Sequence, residues 1–183
     1  MQPVKKNTQQ LALMGVLTAL LFMGQVLMSF LPNLEIVSLL IILYTIFFGK
    51  RVFWMIYGFV FLEGFLYGFG IWWFQYLYIW SILALAAMPF RSNSSPVFWS
   101  ILSGFFGLFF GALCTLPYFV TGGPAAAFAY WVSGLGFDIT HCIGNVVLCL
   151  VLFRPLCRIL SSMDMNTVKI RAAAKPSSHR EDT

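Results

Sequence analysis

In the last third of this chain, Asp138, His141 and Asn145 follow one another at spacings of three and four residues. On a helix that spacing sets all three on one face. A carboxylate, an imidazole and a carboxamide in one column are groups that hold the polar functions of a small molecule or pass a proton. Glu63 and Glu35 are two further acidic side chains set in apolar sequence, and ionisable groups in such surroundings are costly enough to mark functional sites by default. Counting 1.5 Å per residue from a helix start near Val52, Glu63 falls about 16 Å in. There it needs a proton, a partner or water, and His141 is one candidate partner. Glu35, just after Asn33, stands at a helix start where the dipole also favours a carboxylate, so both residues read equally as cap or pocket. Asp138 follows Gly134-Leu135-Gly136-Phe137 and reads in part as the cap of its own helix. His141 and Asn145 lie too far in for capping; facing Glu63 across a bundle, they are the stronger candidates.

These residues belong to elements that composition restricts sharply. Of 183 residues, 60% are hydrophobic and 9% charged, whereas an ordinary soluble domain carries about 25% charged residues. The pattern predicts an all-α integral membrane protein. Six spans are expected, at about 11–30, 34–48, 52–69, 73–88, 96–118 and 137–160, in one domain over 1–160 with a basic tail at 161–183. Pro and Gly clusters separate them, and the second is short enough to begin as an interfacial segment. The first is too long for a signal-peptide core and no small-residue cleavage site follows it, so it reads as a retained helix.

With six spans and a cytoplasmic N-terminus, all 11 Lys and Arg residues fall on the inner side, which fits the positive-inside rule and puts both termini in the cytoplasm. The net charge of +5 therefore reports orientation; the basic residues form no stripe for nucleic acid. The same topology makes 117–136 an outer loop leading into the last span. Its Gly-Gly-Pro and Ala-Ala-Ala runs read as a loop or short lid, with Tyr130 and Trp131 able to close over a ligand. Trp72, Trp73, Gln75 and Tyr76 lie in another outer turn. Each such aromatic reads as an interfacial belt residue or as a stacking wall for a flat ligand. Gly64 and Gly68, and the Ser103, Gly107, Gly111 series, recur at four residues and predict close helix contacts; so do Gly15 and Ala19.

Other chemistry is missing from the sequence. There is no phosphate-binding Gly-rich loop, nucleophile elbow or H-E-x-x-H. The cysteines Cys114, Cys142, Cys149 and Cys157 form no C-x-x-C pair and read as buried thiols, with no metal or cofactor site. Nothing marks a catalytic nucleophile, so the chain reads as a non-enzyme that cannot power transport alone.

Several segments resemble the substrate-binding S components of energy-coupling factor (ECF) vitamin transporters. The likeness covers about 11–160. It rests on six short spans, on Gly15 and Ala19 as a small-x-x-x-small pair, and on the stretches Pro32-Asn33-Leu34-Glu35-Ile36-Val37-Ser38-Leu39-Leu40 and Gly134-Leu135-Gly136-Phe137-Asp138-Ile139-Thr140-His141-Cys142-Ile143-Gly144-Asn145. The family usually has alanine at both positions of the first-span pair, where this chain has Gly15. The resemblance implies a bacterial plasma-membrane subunit that captures a vitamin or related micronutrient outside the cell. A transmembrane T component, met by Gly15 and Ala19, and two cytoplasmic ATPase subunits would drive uptake. With no basic residue outside, a phosphate or carboxylate clamp is disfavoured; a flavin, a corrinoid, thiamin or a purine-like base all fit. Two readings from other classes stand beside it. One is a six-span scaffold like the cell-shape protein of rod-shaped bacteria, whose polar residues would form closed pairs. The other is a membrane enzyme dependent on Glu63 and His141.

Overall fold

The computed structural model describes residues 3–31 and 34–173, with side chains over 8–31 and 34–162. Every regular element among them is helical: α1 (Pro3–Met28), α2 (Val37–Phe48), α3 (Val52–Tyr67), α4 (Ile71–Ala87), α5 (Pro96–Leu108), α6 (Phe110–Leu113) and α7 (Leu116–Ala173). Four stretches are long and apolar enough to cross a membrane: Thr8–Met28, Val37–Tyr67, Ile71–Phe90 and Leu116–Ser162. The architecture is that of an all-helical membrane protein.

The stretch Val37–Tyr67 is not one rod. Gly49 ends α2 at φ +57°, a conformation that glycine reaches at little cost, and α3 starts after one 3₁₀ turn. Gly68 ends α3 in the same way at φ +85°, its N–H bonded to the Gly64 carbonyl. At the start of α5 the Ser95 hydroxyl accepts from the Phe98 N–H and Pro96 occupies the first helical position, a strong start signal. Arg91 closes the α2–α3 corner from the side. Its guanidinium donates to the Ile46 carbonyl at 3.1 Å and lies where a Cβ on Gly49 would stand.

Three expectations need correction. The expected outer loop at 117–136 is helical apart from Gly123, whose φ of +74° and ψ of −173° break α7. Pro124 is preorganised for a first helical turn and the three alanines after it are the best helix formers, so the Gly-Gly-Pro signal marks a corner and not a lid. The expected span 96–118 is broken at Phe109 and again before Leu116, giving α5, α6 and the first turns of α7. The expected tail at 161–183 is helical as far as Ala173, and 174–183 lies outside the described residues.

From Pro124 onward α7 runs for roughly 75 Å at 1.5 Å per residue, more than twice the hydrocarbon thickness of about 30 Å. Phe128, Val132, Ile139, Ile143, Val147 and Val151 leave an exposed apolar stripe along it. A membrane helix of such length tilts or runs past the bilayer.

The core lies among α2, α3, α4, α5 and α7, around Trp80, Trp99, Tyr44 and Phe59. The α1 helix is applied to one side, burying Leu17 and Leu21 and leaving Leu11, Val16, Leu20 and Leu27 exposed. The broadest helix contact joins α5 to α7, and it is made at Gly107 of the expected small-residue series and at its neighbour Gly104, which the series did not include. A Cβ on Gly107 would stand 2.9–3.0 Å from the His141 backbone, and one on Gly104 would stand 2.5 Å from Val146.

The obstacle at Gly107 is backbone, which cannot rotate away. Gly107→Val is therefore expected to destabilise the protein by about 1–3 kcal/mol, as overpacking does. At Gly15 a Cβ meets nothing within 4 Å, so Gly15→Ala should leave stability unchanged or slightly raised. Thermal unfolding of detergent-purified variants reads both; equal loss at the two positions would contradict this packing.

Candidate functional site

The polar column on α7 is held in the core. Asp138, His141 and Asn145 are buried, His141 at 5% exposure, and the contact between the glycines of α5 and α7 brings each one to a partner on another element. His141 Nε2 meets Glu35 Oε1 at 3.1 Å. The second oxygen of Glu35, itself 8% exposed, accepts the Ser38 N–H at 2.8 Å in the first turn of α2. Asn145 donates to the Ser103 carbonyl at 3.2 Å and to the Ser38 hydroxyl at 3.4 Å. Asp138 Oδ1 accepts the Gly111 N–H at 2.9 Å, while its Oδ2 is buried with no partner.

This corrects two expectations and joins the two readings of Glu35. The partner of His141 is Glu35, not Glu63. Glu35 is at once the cap of α2 and a member of the buried cluster, so its two readings hold together. Asp138 does not cap its own helix, which begins well before it; it caps α6, where Gly111 lies in the first turn.

Glu63 stands apart, 2% exposed, with Oε1 buried and unpartnered. Gln75 donates to the Cys114 carbonyl at 3.0 Å. Tyr130 stacks on Tyr118 with ring centroids 4.0 Å apart. Trp73 donates to the Val60 carbonyl at 2.9 Å, tying α4 to α3, and Trp131 has a buried indole N–H without a partner. None of these five residues lines the cavity described next. Asn33 lies outside the described residues.

A cavity of about 230 Å³ opens beside the Glu35–His141 contact. Gln25, Met28 and Ser29 of α1 and the following turn, with Leu31 and Leu34, build one part of its lining. Tyr76 and Trp80 of α4, Phe110 of α6 and His141 of α7 build another. The four rings form a chain of contacts, with centroids 5.3 Å apart for Tyr76–Trp80, 5.8 Å for Trp80–Phe110 and 4.9 Å for Phe110–His141. Gln25 Oε1 and Trp80 Nε1 are buried without a hydrogen-bond partner. Tyr76 is the one aromatic of the outer turn between the third and fourth expected spans that lines the cavity, and sequence reasoning missed Gln25, Trp80 and Phe110. Trp80 sits four residues after Tyr76, a helical spacing that would have paired them, but aromatic residues are too common here for that pair to stand out.

Comparison with family profiles, curated proteins and solved structures finds no match for this chain.

Removing one member of a buried hydrogen-bonded pair leaves the other unsatisfied, which costs about 3–5 kcal/mol for an ion pair. His141→Ala should therefore lower the unfolding temperature markedly, and Glu35→Gln with His141→Ala should lose less than the sum of the single changes. Glu63→Gln removes an unpartnered carboxyl and should be neutral or stabilising. A double-mutant cycle by thermal unfolding checks all three; strict additivity would mean that the contact contributes nothing.

Proposed function

We propose that the chain is the substrate-binding S component of an ECF-type transporter. In this reading it is a six-span bundle of the bacterial plasma membrane with both termini in the cytoplasm, and it captures a vitamin-like micronutrient outside. The observation that carries the proposal is the cavity lined by the Glu35–His141 pair and by the aromatic side chains of Tyr76, Trp80 and Phe110. Small-molecule sites have this composition, mostly apolar and aromatic with a few placed polar groups.

The arrangement of charge supports the proposed orientation. Arg51 donates to Gln10 Oε1 near the start of α1 at 3.1 Å, and Arg91 lies over the α2–α3 corner. The cavity is at the other end of α1, by Gln25 and Met28. Arg51 and the cavity thus lie toward opposite ends of α1, which supports a reading with the basic residues inside and the binding site outside. Gly15 and Ala19 are exposed on α1, beside a surface groove lined by Gln10, Leu11, Met14, Thr18, Arg51 and Trp54. That face is open to a T component, which in turn would engage two ATPase subunits. A scaffold reading is favoured by one feature, the closed Glu35–His141 and Asn145–Ser103 contacts, but it gives no reason for the cavity.

Native mass spectrometry of the protein purified from cells tests the proposal: a retained small molecule is expected, and it should be lost on Glu35→Ala. An empty protein that a vitamin panel also fails to stabilise would sink it. Gly15→Trp should leave ligand binding intact while preventing co-purification with the T component and ATPases.

A further inference from the structure

A groove lies on the outside of the bundle, between α1 and α3. One side is α1 from Gln10 to Thr18, and Arg51 and Trp54 at the start of α3 form the other. At its near end the Arg51–Gln10 hydrogen bond, 3.1 Å long, joins the two helices. At its far end they touch, with the Thr18 methyl 2.9 Å from where a Cβ on Gly58 would stand. Between those ends α1 rises about 12 Å at 1.5 Å per residue, close to the half-thickness of about 15 Å of a hydrocarbon core.

The groove changes character along that length. At the near end stand two exposed cations, Arg51 and its neighbour Lys50. Among the described residues no carboxylate pairs with either, and Arg51 bonds only the neutral Gln10, which leaves most of the five guanidinium donors over. The α3 helix starts here with no side-chain cap and no acidic residue in its first turn, so the positive end of its dipole adds to the two cations. Further along, the walls are apolar. Leu11 is 70% and Trp54 76% exposed, and Gly15 has open space where a side chain would stand. The Thr18 hydroxyl is turned back onto the Met14 carbonyl at 2.8 Å. An unmatched cationic end and an apolar length complement a molecule with an anionic head and a hydrocarbon tail. An uncharged lipid leaves the cations unmatched, and a soluble anion leaves the apolar walls uncovered.

We infer that this groove binds one anionic phospholipid from the leaflet on the Arg51 side. Arg51 and Lys50 hold its phosphate through charge-assisted hydrogen bonds, and one acyl chain lies along Leu11, Met14 and Gly15. Trp54, at headgroup level, covers the chain from the α3 side. The lipid site needs only a membrane and is independent of what the cavity beside Glu35 and His141 holds. A protein partner that takes the Gly15 face displaces the lipid, so the groove is lipid-filled in the chain alone and partner-filled in a complex.

Native mass spectrometry of the full chain, delipidated in detergent and titrated with phosphatidylglycerol, phosphatidylcholine or glycerol 3-phosphate, tests this site. One phosphatidylglycerol should be retained per chain, at least about fivefold more tightly than phosphatidylcholine, which is the worth of one cation near an anionic headgroup. Glycerol 3-phosphate, a headgroup without chains, should neither bind nor compete. Arg51→Gln should weaken retention by about tenfold, the worth of a hydrogen bond to a charged group. Gly15→Leu, which fills the groove and keeps the cations, should weaken it as well, and Arg158→Gln, which removes an exposed cation elsewhere, should not. The Arg51–Gln10 bond is exposed and Gly15 faces open space, so both groove variants should keep the unaltered chain's size-exclusion profile and unfolding temperature. Equal retention of the two phospholipids, or equal losses on Arg51→Gln and Arg158→Gln, would overturn the site. Binding of glycerol 3-phosphate by itself would overturn the lipid in favour of a plain anion. A dimer that Gly15→Leu disrupts, with no lipid retained, would put a second copy of the chain in the groove and overturn the lipid too.

Discussion

The Glu35–His141 contact joins positions 106 residues apart, and much of the polar architecture depends on it. In an apolar interior a lone carboxylate or imidazole is strongly disfavoured. Each of these two makes the other tolerable, and the Ser38 N–H adds a third contact at the start of α2. The contact ties the chain between α1 and α2 to the middle of α7. It thereby holds the segment around Leu31 and Leu34 against α4 and α6, where the cavity forms.

That contact needs α7 to approach α5 closely, and glycine makes the approach possible. Gly107 lets the His141 backbone come to a distance that a Cβ would prevent, and Gly111 lets Asp138 reach its N–H. Packing of small residues is a principal means of helix association in lipid, where burying apolar side chains gains little over leaving them in hydrocarbon. The polar column and the small-residue series are therefore two sides of one interface. The series sets the distance, and the column supplies hydrogen bonds that fix rotation and register.

Much of this was legible along the chain. The helical class followed from composition, and the column of Asp138, His141 and Asn145 followed from spacing. The glycine series was readable as a contact face, though not which helix it faced. The partner of His141 was not readable, because helical spacing reports neighbours on one element and says nothing of residues on another. Glu63 was the natural guess on depth alone; the fold leaves it on α3 with an unpartnered oxygen and brings Glu35 over instead. The 117–136 segment misled for a different reason. Gly-Gly-Pro and scattered glycines signal loops through turn chemistry, but one left-handed residue at Gly123 is enough for the corner. Beyond it Gly134 and Gly136 sit inside a helix whose alanines and aromatics favour continuation.

The α1 helix bears on both halves of the proposed function. It is the most loosely held of the long apolar helices, attached through Leu17, Leu21 and the bond from the Tyr44 hydroxyl to the Leu17 carbonyl. Its early turns carry the exposed Gly15 and Ala19, and its last turns contribute Gln25 and Met28 to the cavity lining. From Gly15 to Gln25 the helix rises about 15 Å at 1.5 Å per residue, and a helix transmits displacement along its axis as a nearly rigid body. A partner that grips the Gly15 face and shifts α1 therefore also moves a wall of the cavity. In a binding subunit with no nucleotide motif of its own, that is a physical route by which an external energy source can change affinity for the ligand, because affinity shifts only to the extent that the two states contact the ligand differently.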